Sequence, residues 1–237
     1  MKKLAMMIVG LLGAACACAP GSAQAATAYP VMAPLQQYLM PDQAAEIALA
    51  RSAAPPSVSA DAEILVLGPK GYVTAVAGRN GFTCLVERAW FSGLNDEGFW
   101  NPRLRGPDCY NRRAARSVLP TFLTRTLWVL AGASQSEIRE RTRAAMAAGR
   151  IHAPEIGAMN FMLSKLGYLG DGPHGPWHPH LMFYMPPMPI SDWGAGLPGT
   201  QVHGADAGVD PYTMFFVPVG AWSDGSPDGP AGARHAM

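Results

Sequence analysis

Three of the six histidines fall within seven residues, at His174, His178 and His180, inside the run Gly172–Pro189 that reads G-P-H-G-P-W-H-P-H-L-M-F-Y-M-P-P-M-P. Trp177 and three methionines, Met182, Met185 and Met188, stand beside them. Pro179 lacks a donor N–H and its ring clashes with a preceding helical turn, which argues against a helix interior. The apolar, aromatic L-M-F-Y-M that follows is bounded by prolines and predicts a strand. Side chains alternate along a strand, so His178, His180, Met182 and Tyr184 share one face, and Trp177, Leu181, Phe183 and Met185 share the other.

Neighbours on one face lie about 6.6 Å apart along a strand. Two imidazoles at that spacing can converge on one metal ion at N–metal distances of about 2.0–2.1 Å. The candidate metal ligands are therefore His178 and His180, with His174, His203 or the Met182 sulfur as a third. Imidazole with carboxylate or water suits zinc, whereas imidazole with thioether suits copper. Trp177, Met182 and Trp193 are the candidate contacts for a small ligand. A structural role weighs more heavily, because H-x-H is far less specific than a full ligand set. In that role the histidines bond loop carbonyls and Trp177 anchors the packing.

Other motifs carry less. Gly194–Gly199 matches G-x-G-x-x-G letter for letter, but a dinucleotide site needs a strand before it and a helix after it, and this run lies in a loop. Five arginines between Arg103 and Arg116 could bind an anion, although a solvated basic helix face explains them better. Asp224 and Asp228 miss the spacing of a calcium loop. There is no G-x-S-x-G elbow and Ser164-Lys165 is not S-x-x-K, so serine catalysis has no foothold. Glu87 and Glu155 are the carboxylates to consider as a general base.

The N-terminus sets the expected address. Lys2 and Lys3 precede an apolar run, and Ala23-Gln24-Ala25 offers a cleavage site before Ala26. That is the pattern of a secretory signal peptide over residues 1–25, with an apolar run too short to span a membrane. A lipid anchor at Cys16 or Cys18 is disfavoured, because Gly13 and Ala15 stand where a lipoprotein signal usually carries leucine. Cleavage leaves 16 basic against 17 acidic residues. A near-neutral chain gives no case for nucleic-acid binding. A hydrophobic fraction of 49% is ample for a packed core. Only Cys84 and Cys109 remain after the leader, and in an oxidising compartment such a pair is most simply a disulfide.

These groups must be positioned by the rest of the chain. Asp42 can cap a helix over Gln43–Ser52, ended by Pro55-Pro56. Strand-like runs Glu63–Leu67, Tyr72–Ala77 and Phe82–Arg88, separated by G-P-K-G and G-R-N-G, predict an antiparallel meander over Glu63–Arg88. Residues from Trp90 to Asn111 read as irregular. Asn111 can cap a short helix, and Ser134 with Glu137 forms a capping box for a helix ending at Gly149. Periodicity leaves helix and strand both open for 126–131 and for 158–164, the latter leaning to strand. Ile190–Asp210 reads as a loop and Tyr212–Val219 as a strand whose Pro218 marks an edge or bulge. The expected fold is α+β: one domain over 26–222, an antiparallel sheet with a helical middle segment, and a disordered tail over 223–237.

In N-G-F-T-C-L-V-E-R-A-W (Asn80–Trp90), W-H-P-H-L-M-F (Trp177–Phe183) and F-F-V-P-V with W-S-D-G (Phe215–Gly225), the chain resembles a group of exported bacterial proteins. The resemblance covers most of the mature chain, implies a secreted or periplasmic setting and supplies no mechanism. The expected function is an exported, non-catalytic binding protein with its site at residues 174–188. The alternatives are a zinc- or copper-dependent hydrolase or oxidoreductase on the same histidines, and an envelope structural protein with no site.

Overall fold

The computed structural model describes residues 29–170, 178–206 and 208–229. The leader, His174, Trp177 and the last eight residues lie outside that set. Asp42 caps α1 (Gln43–Arg51), its carboxylate accepting the Ala44 N–H at 2.8 Å. A single helical turn, α2 (Pro56–Ser59), leads to β1 (Glu63–Gly68), β2 (Gly71–Val76) and β3 (Thr83–Glu87). The stretch read as irregular closes with a further strand, β4 (Gly106–Tyr110), whose residues are all buried.

Asn111 caps α3 (Arg112–Ser117) by accepting the Ala114 N–H. Helix α4 (Leu119–Leu130) takes in residues 126–130, which settles that segment as helix. The Ser134–Glu137 capping box opens α5 (Gln135–Ala147), and Gly149, with φ +63°, turns the chain out of it. Residues 159–162 are strand β5 (Met159–Met162), followed by β6 (His180–Met185), β7 (His203–Asp206) and β8 (Thr213–Pro218). Strand β7 lies inside the segment read as a loop, and a 3-10 turn, Ile190–Trp193, precedes it.

The eight strands form one sheet in the order β2-β1-β3-β4-β5-β6-β8-β7, antiparallel except where β1 pairs β3. The α+β class is therefore as expected, but the meander is not. β1 and β2 form a hairpin, whereas β3 returns on the far side of β1 and parallel to it. Burial explains the difference. All of β3 is buried, so it suits a central position, while β2 exposes Thr74 and Val73 and suits an edge. The crossing chain hugs the start of β1: the Glu63 N–H donates to the Phe82 carbonyl at 2.9 Å, and a Cβ on Gly78 would lie 2.2 Å from the Glu63 nitrogen.

Each face of the sheet has its own core. On one face Leu65, Leu85, Tyr110, Met182 and Tyr184 pack with Trp90 and Phe91 and with Val118, Phe122 and Ile138 of the helices. On the other face Ile64, Cys84, Val86 and Cys109 pack against Ala50 of α1 and against Ala53, Ala54 and Ala62 that follow it. Cys84 and Cys109 face each other across β3 and β4 and form a disulfide.

Of the segment expected as a tail, residues 223–229 are described, and they are held by turns: the Ser223 N–H donates to the Leu163 carbonyl, and Lys165 pairs with Asp224 at 2.9 Å. Ser226 holds the other Asp224 oxygen, and these bonds keep that carboxyl well below the usual carboxylate range.

The disulfide closes a sequence separation of 25, for which chain entropy predicts a loss of about 3 kcal/mol on removal. A Cys84→Ala/Cys109→Ala variant should lose that much in urea unfolding at unchanged native circular dichroism. A loss under about 1 kcal/mol would show that the reduced ensemble is already restrained.

Candidate functional site

Strand alternation and register together place the site. Glu87 on β3, Asp108 and Tyr110 on β4, Asn160 and Met162 on β5, His180, Met182 and Tyr184 on β6, and Met214 and Phe216 on β8 all project from one face. His203 on β7 pairs with Phe216 and extends that face to the sheet edge. Helices α3 and α4 pack over β2, β4 and β5. Beyond them the same face borders a cavity of about 730 Å³, walled opposite by residues 91–96, Phe122 and Arg139.

His178, His180, Met182, Tyr184 and His203 all line this cavity. The His178 Nδ1 lies 2.7 Å from Asp228 Oδ2, so the supposed tail orients this ring. The His180 Nδ1–H donates to the His178 carbonyl at 2.9 Å, and its ring meets Phe216 edge-on. Burial holds the His180 imidazole below its ordinary value. A carboxylate or carbonyl on Nδ1 is also how metal-ligating histidines are oriented. Among the described residues, however, no group of three or more His, Cys, Asp or Glu side chains is placed to hold a metal ion.

Trp193 is not with them. It stacks on Phe215 at 4.5 Å and packs on Phe183 at 5.8 Å. Phe215 and Phe183 are cross-strand partners one residue out of phase with Met182 and Phe216, so Trp193 covers the opposite face. The two carboxylates considered as bases also separate. Glu155 is surface-bound to Arg116 at 2.7 Å, with Arg113 nearby, which accounts for two of the five clustered arginines. Glu87 lines the cavity and is only 9% exposed.

Glu87 has a partner that the sequence did not reveal. Gly106 lies directly opposite it, and Asp108 lies diagonally across the strand pair. Diagonal neighbours are within reach of long side chains. The Tyr110 hydroxyl donates to Glu87 Oε1 at 2.8 Å, and Asn160 Nδ2 donates to Asp108 Oδ2 at 2.6 Å and to the Tyr184 oxygen at 2.9 Å. Asp108 is fully buried, and its Oδ1 has no hydrogen-bond donor. Burial raises the pKa of both carboxyls, and the Glu87 charge raises Asp108 further.

A second buried charge frames the far wall. Arg125 of α4 is 0% exposed and holds both Asp210 oxygens, at 2.5 and 2.6 Å. The same guanidinium donates to the carbonyls of Trp90 and Ser92. It thereby joins α4, the 91–96 wall and the entry to β8.

Compared with known proteins, the chain matches no family model, no curated protein and no solved structure. No helix among the described residues is long and apolar enough to cross a membrane.

An acid whose pKa is raised on folding keeps its proton in the native state while the unfolded chain loses it. Its contribution is full below the unfolded value near 4 and is lost as pH rises through the folded value. Asp108→Asn cannot ionise yet still accepts from Asn160. The variant should lose less stability than the parent between about pH 5 and pH 8 in urea unfolding. Parallel pH profiles for the two proteins would rule out a raised Asp108.

Proposed function

We propose that the protein is an exported, non-catalytic binding protein that holds a small, mainly apolar molecule in the cavity under His178, His180 and Met182. The cavity itself carries the reading. Its volume of about 730 Å³ falls in the range of sites that enclose small molecules. Phe91, Leu94, Phe122, Met182, Met214 and Phe216 supply an apolar lining. A few polar groups converge on it, Glu87 and Tyr184 from the sheet and the histidines at the rim. That mixture suits holding a ligand by burial and orienting it by hydrogen bonds. The leader-like N-terminus and the buried Cys84–Cys109 disulfide support export, since disulfides persist in oxidising compartments.

Nile red, an uncharged apolar dye, tests the cavity. The parent should bind one equivalent with blue-shifted emission. Met182→Trp, which fills the floor between Asn160 and Phe216, should weaken binding by about tenfold while the protein remains folded. Equal dye affinity in the two proteins would place the dye elsewhere and remove this reading.

Export is tested separately by N-terminal sequencing of the protein recovered from a periplasmic fraction. The expected first residue is Ala26. Recovery only from the cytoplasm, with Met1–Lys3 intact, would overturn it.

A further inference from the structure

Among the described residues the charges around the cavity do not balance: Glu87, Asp96, Asp206 and Asp210 line it, against one guanidinium, that of Arg139. Arg125 neutralises Asp210. Arg139 is held by Asn95 Oδ1 at 2.8 Å and by the Leu94 carbonyl. No salt bridge to Glu87, Asp96 or Asp206 forms among the described residues.

Glu87 is the most buried of the three carboxyls without a salt bridge, and its neighbour Asp108 sharpens the imbalance. Two carboxyls stand together in a desolvated floor and are hydrogen-bonded to each other, which needs a proton on one of them and leaves one negative charge on the pair, while Asp108 Oδ1 meets no amide or hydroxyl donor. Tyr110 and Asn160 supply neutral hydrogen bonds and no charge. The next cation along β3, Arg88, is committed to Glu46 at 2.8 Å and to the Tyr38 and Val86 carbonyls. Desolvated carboxyls in this state need either retained protons or an incoming cation.

The lining above them is suited to a cation with an apolar body. Phe91, Phe122, Tyr184, Tyr212 and Phe216 border the space, and aromatic faces attract positive charge. We propose that the cavity binds a lipophilic amine, a hydrocarbon or aromatic body carrying one protonated nitrogen that seats against the Glu87 carboxyl. This rests on the cavity being a ligand site and adds the chemical class of the ligand.

A pH dependence follows from the groups that face Glu87: Asp108 and Tyr110 from β4 and Tyr184 from β6. The two tyrosines are held neutral by burial. His178, His180 and His203 line the same cavity, so the carboxyl pair's share of the response is the part that Glu87→Gln removes. Protonating the pair as pH falls removes the anion and weakens amine binding, and raising pH strengthens binding until the amine itself loses its proton.

Displacement of Nile red by decylamine, decanol and decanoate from the mature protein provides the test. Decylamine should compete at a concentration about tenfold or more below decanol, with decanoate weakest. Its affinity should rise between about pH 5 and pH 8 while that of decanol stays flat. Glu87→Gln keeps the Tyr110 bond and the volume, and should abolish the preference for amine while still binding the dye. Asp206→Asn, at the exposed edge strand, should reduce the preference in part. Decanol or decanoate equalling decylamine, or a preference that survives in both variants, would overturn the amine assignment and leave the cavity reading intact. Failure of the dye and all three competitors to bind would overturn both.

Discussion

Removing a guanidinium from water costs several kcal/mol unless its charge and donors are met, and the fully buried Arg125 offsets that cost through its two terminal nitrogens, with one carboxylate and two backbone carbonyls, while its Nε stays without a partner. Arg125 and its partners come from three parts of the chain that share no strand pairing. Asp210 precedes β8, Trp90 and Ser92 follow β3, and Arg125 sits in the middle of α4. The cavity is the space left between the sheet and the wall these bonds hold off it. Hydrophobic contact alone would favour closing that space. A guanidinium fork with fixed bonding directions keeps Phe91 and Phe122, stacked at 4.7 Å, at their distance from Met182 and Phe216.

A second constraint is the sheet alternation that collects the polar groups. The strands β3 to β6 put Glu87, Asp108, Asn160 and Tyr184 on one face although they are spread over nearly a hundred residues of sequence. The residues between them carry the opposite core, where Cys84, Val86 and Cys109 meet α1. Both faces are buried there, so neither β3 nor β4 can shift by one residue without driving a carboxyl into the apolar core. The polar floor is thus held in place by the packing behind it as much as by its own hydrogen bonds.

Local signals in the sequence were read reliably. Asp42, Asn111 and the Ser134–Glu137 box each specify a helix start through a side chain bonding a backbone N–H one turn away, and each cap forms. The alternation around His178–Tyr184 was equally legible, because it needs only a strand. What the sequence hid was non-local. The tight glycine turn before β3 suggests a hairpin, but the burial of both β3 faces favours the central position beside β1. β4 was obscured by the glycines and prolines around it, and with it Asp108. One clue was present: if Cys84 and Cys109 bridge neighbouring strands, Asp108 and Tyr110 must fall on the face that carries Glu87. Asp228 and Trp193 were beyond reach, since a loop residue reveals neither the fold-back that brings it to His178 nor the face it will cover.

The Cys84–Cys109 bond also links chemistry on the two sides of the sheet. It crosses β3 and β4, the third and fourth strands of the sheet, behind the carboxyl pair, and the residues flanking each cysteine turn to the opposite face of the sheet, the one that borders the cavity further along. Once formed, it leaves only one alignment of Asp108 and Tyr110 against Glu87. Before it forms, that alignment depends on ladder hydrogen bonds and on the proton held between the two carboxyls. Under the export and amine binding proposed above, alignment of this floor is coupled to thiol oxidation, and a chain that is still reduced would hold a cation poorly.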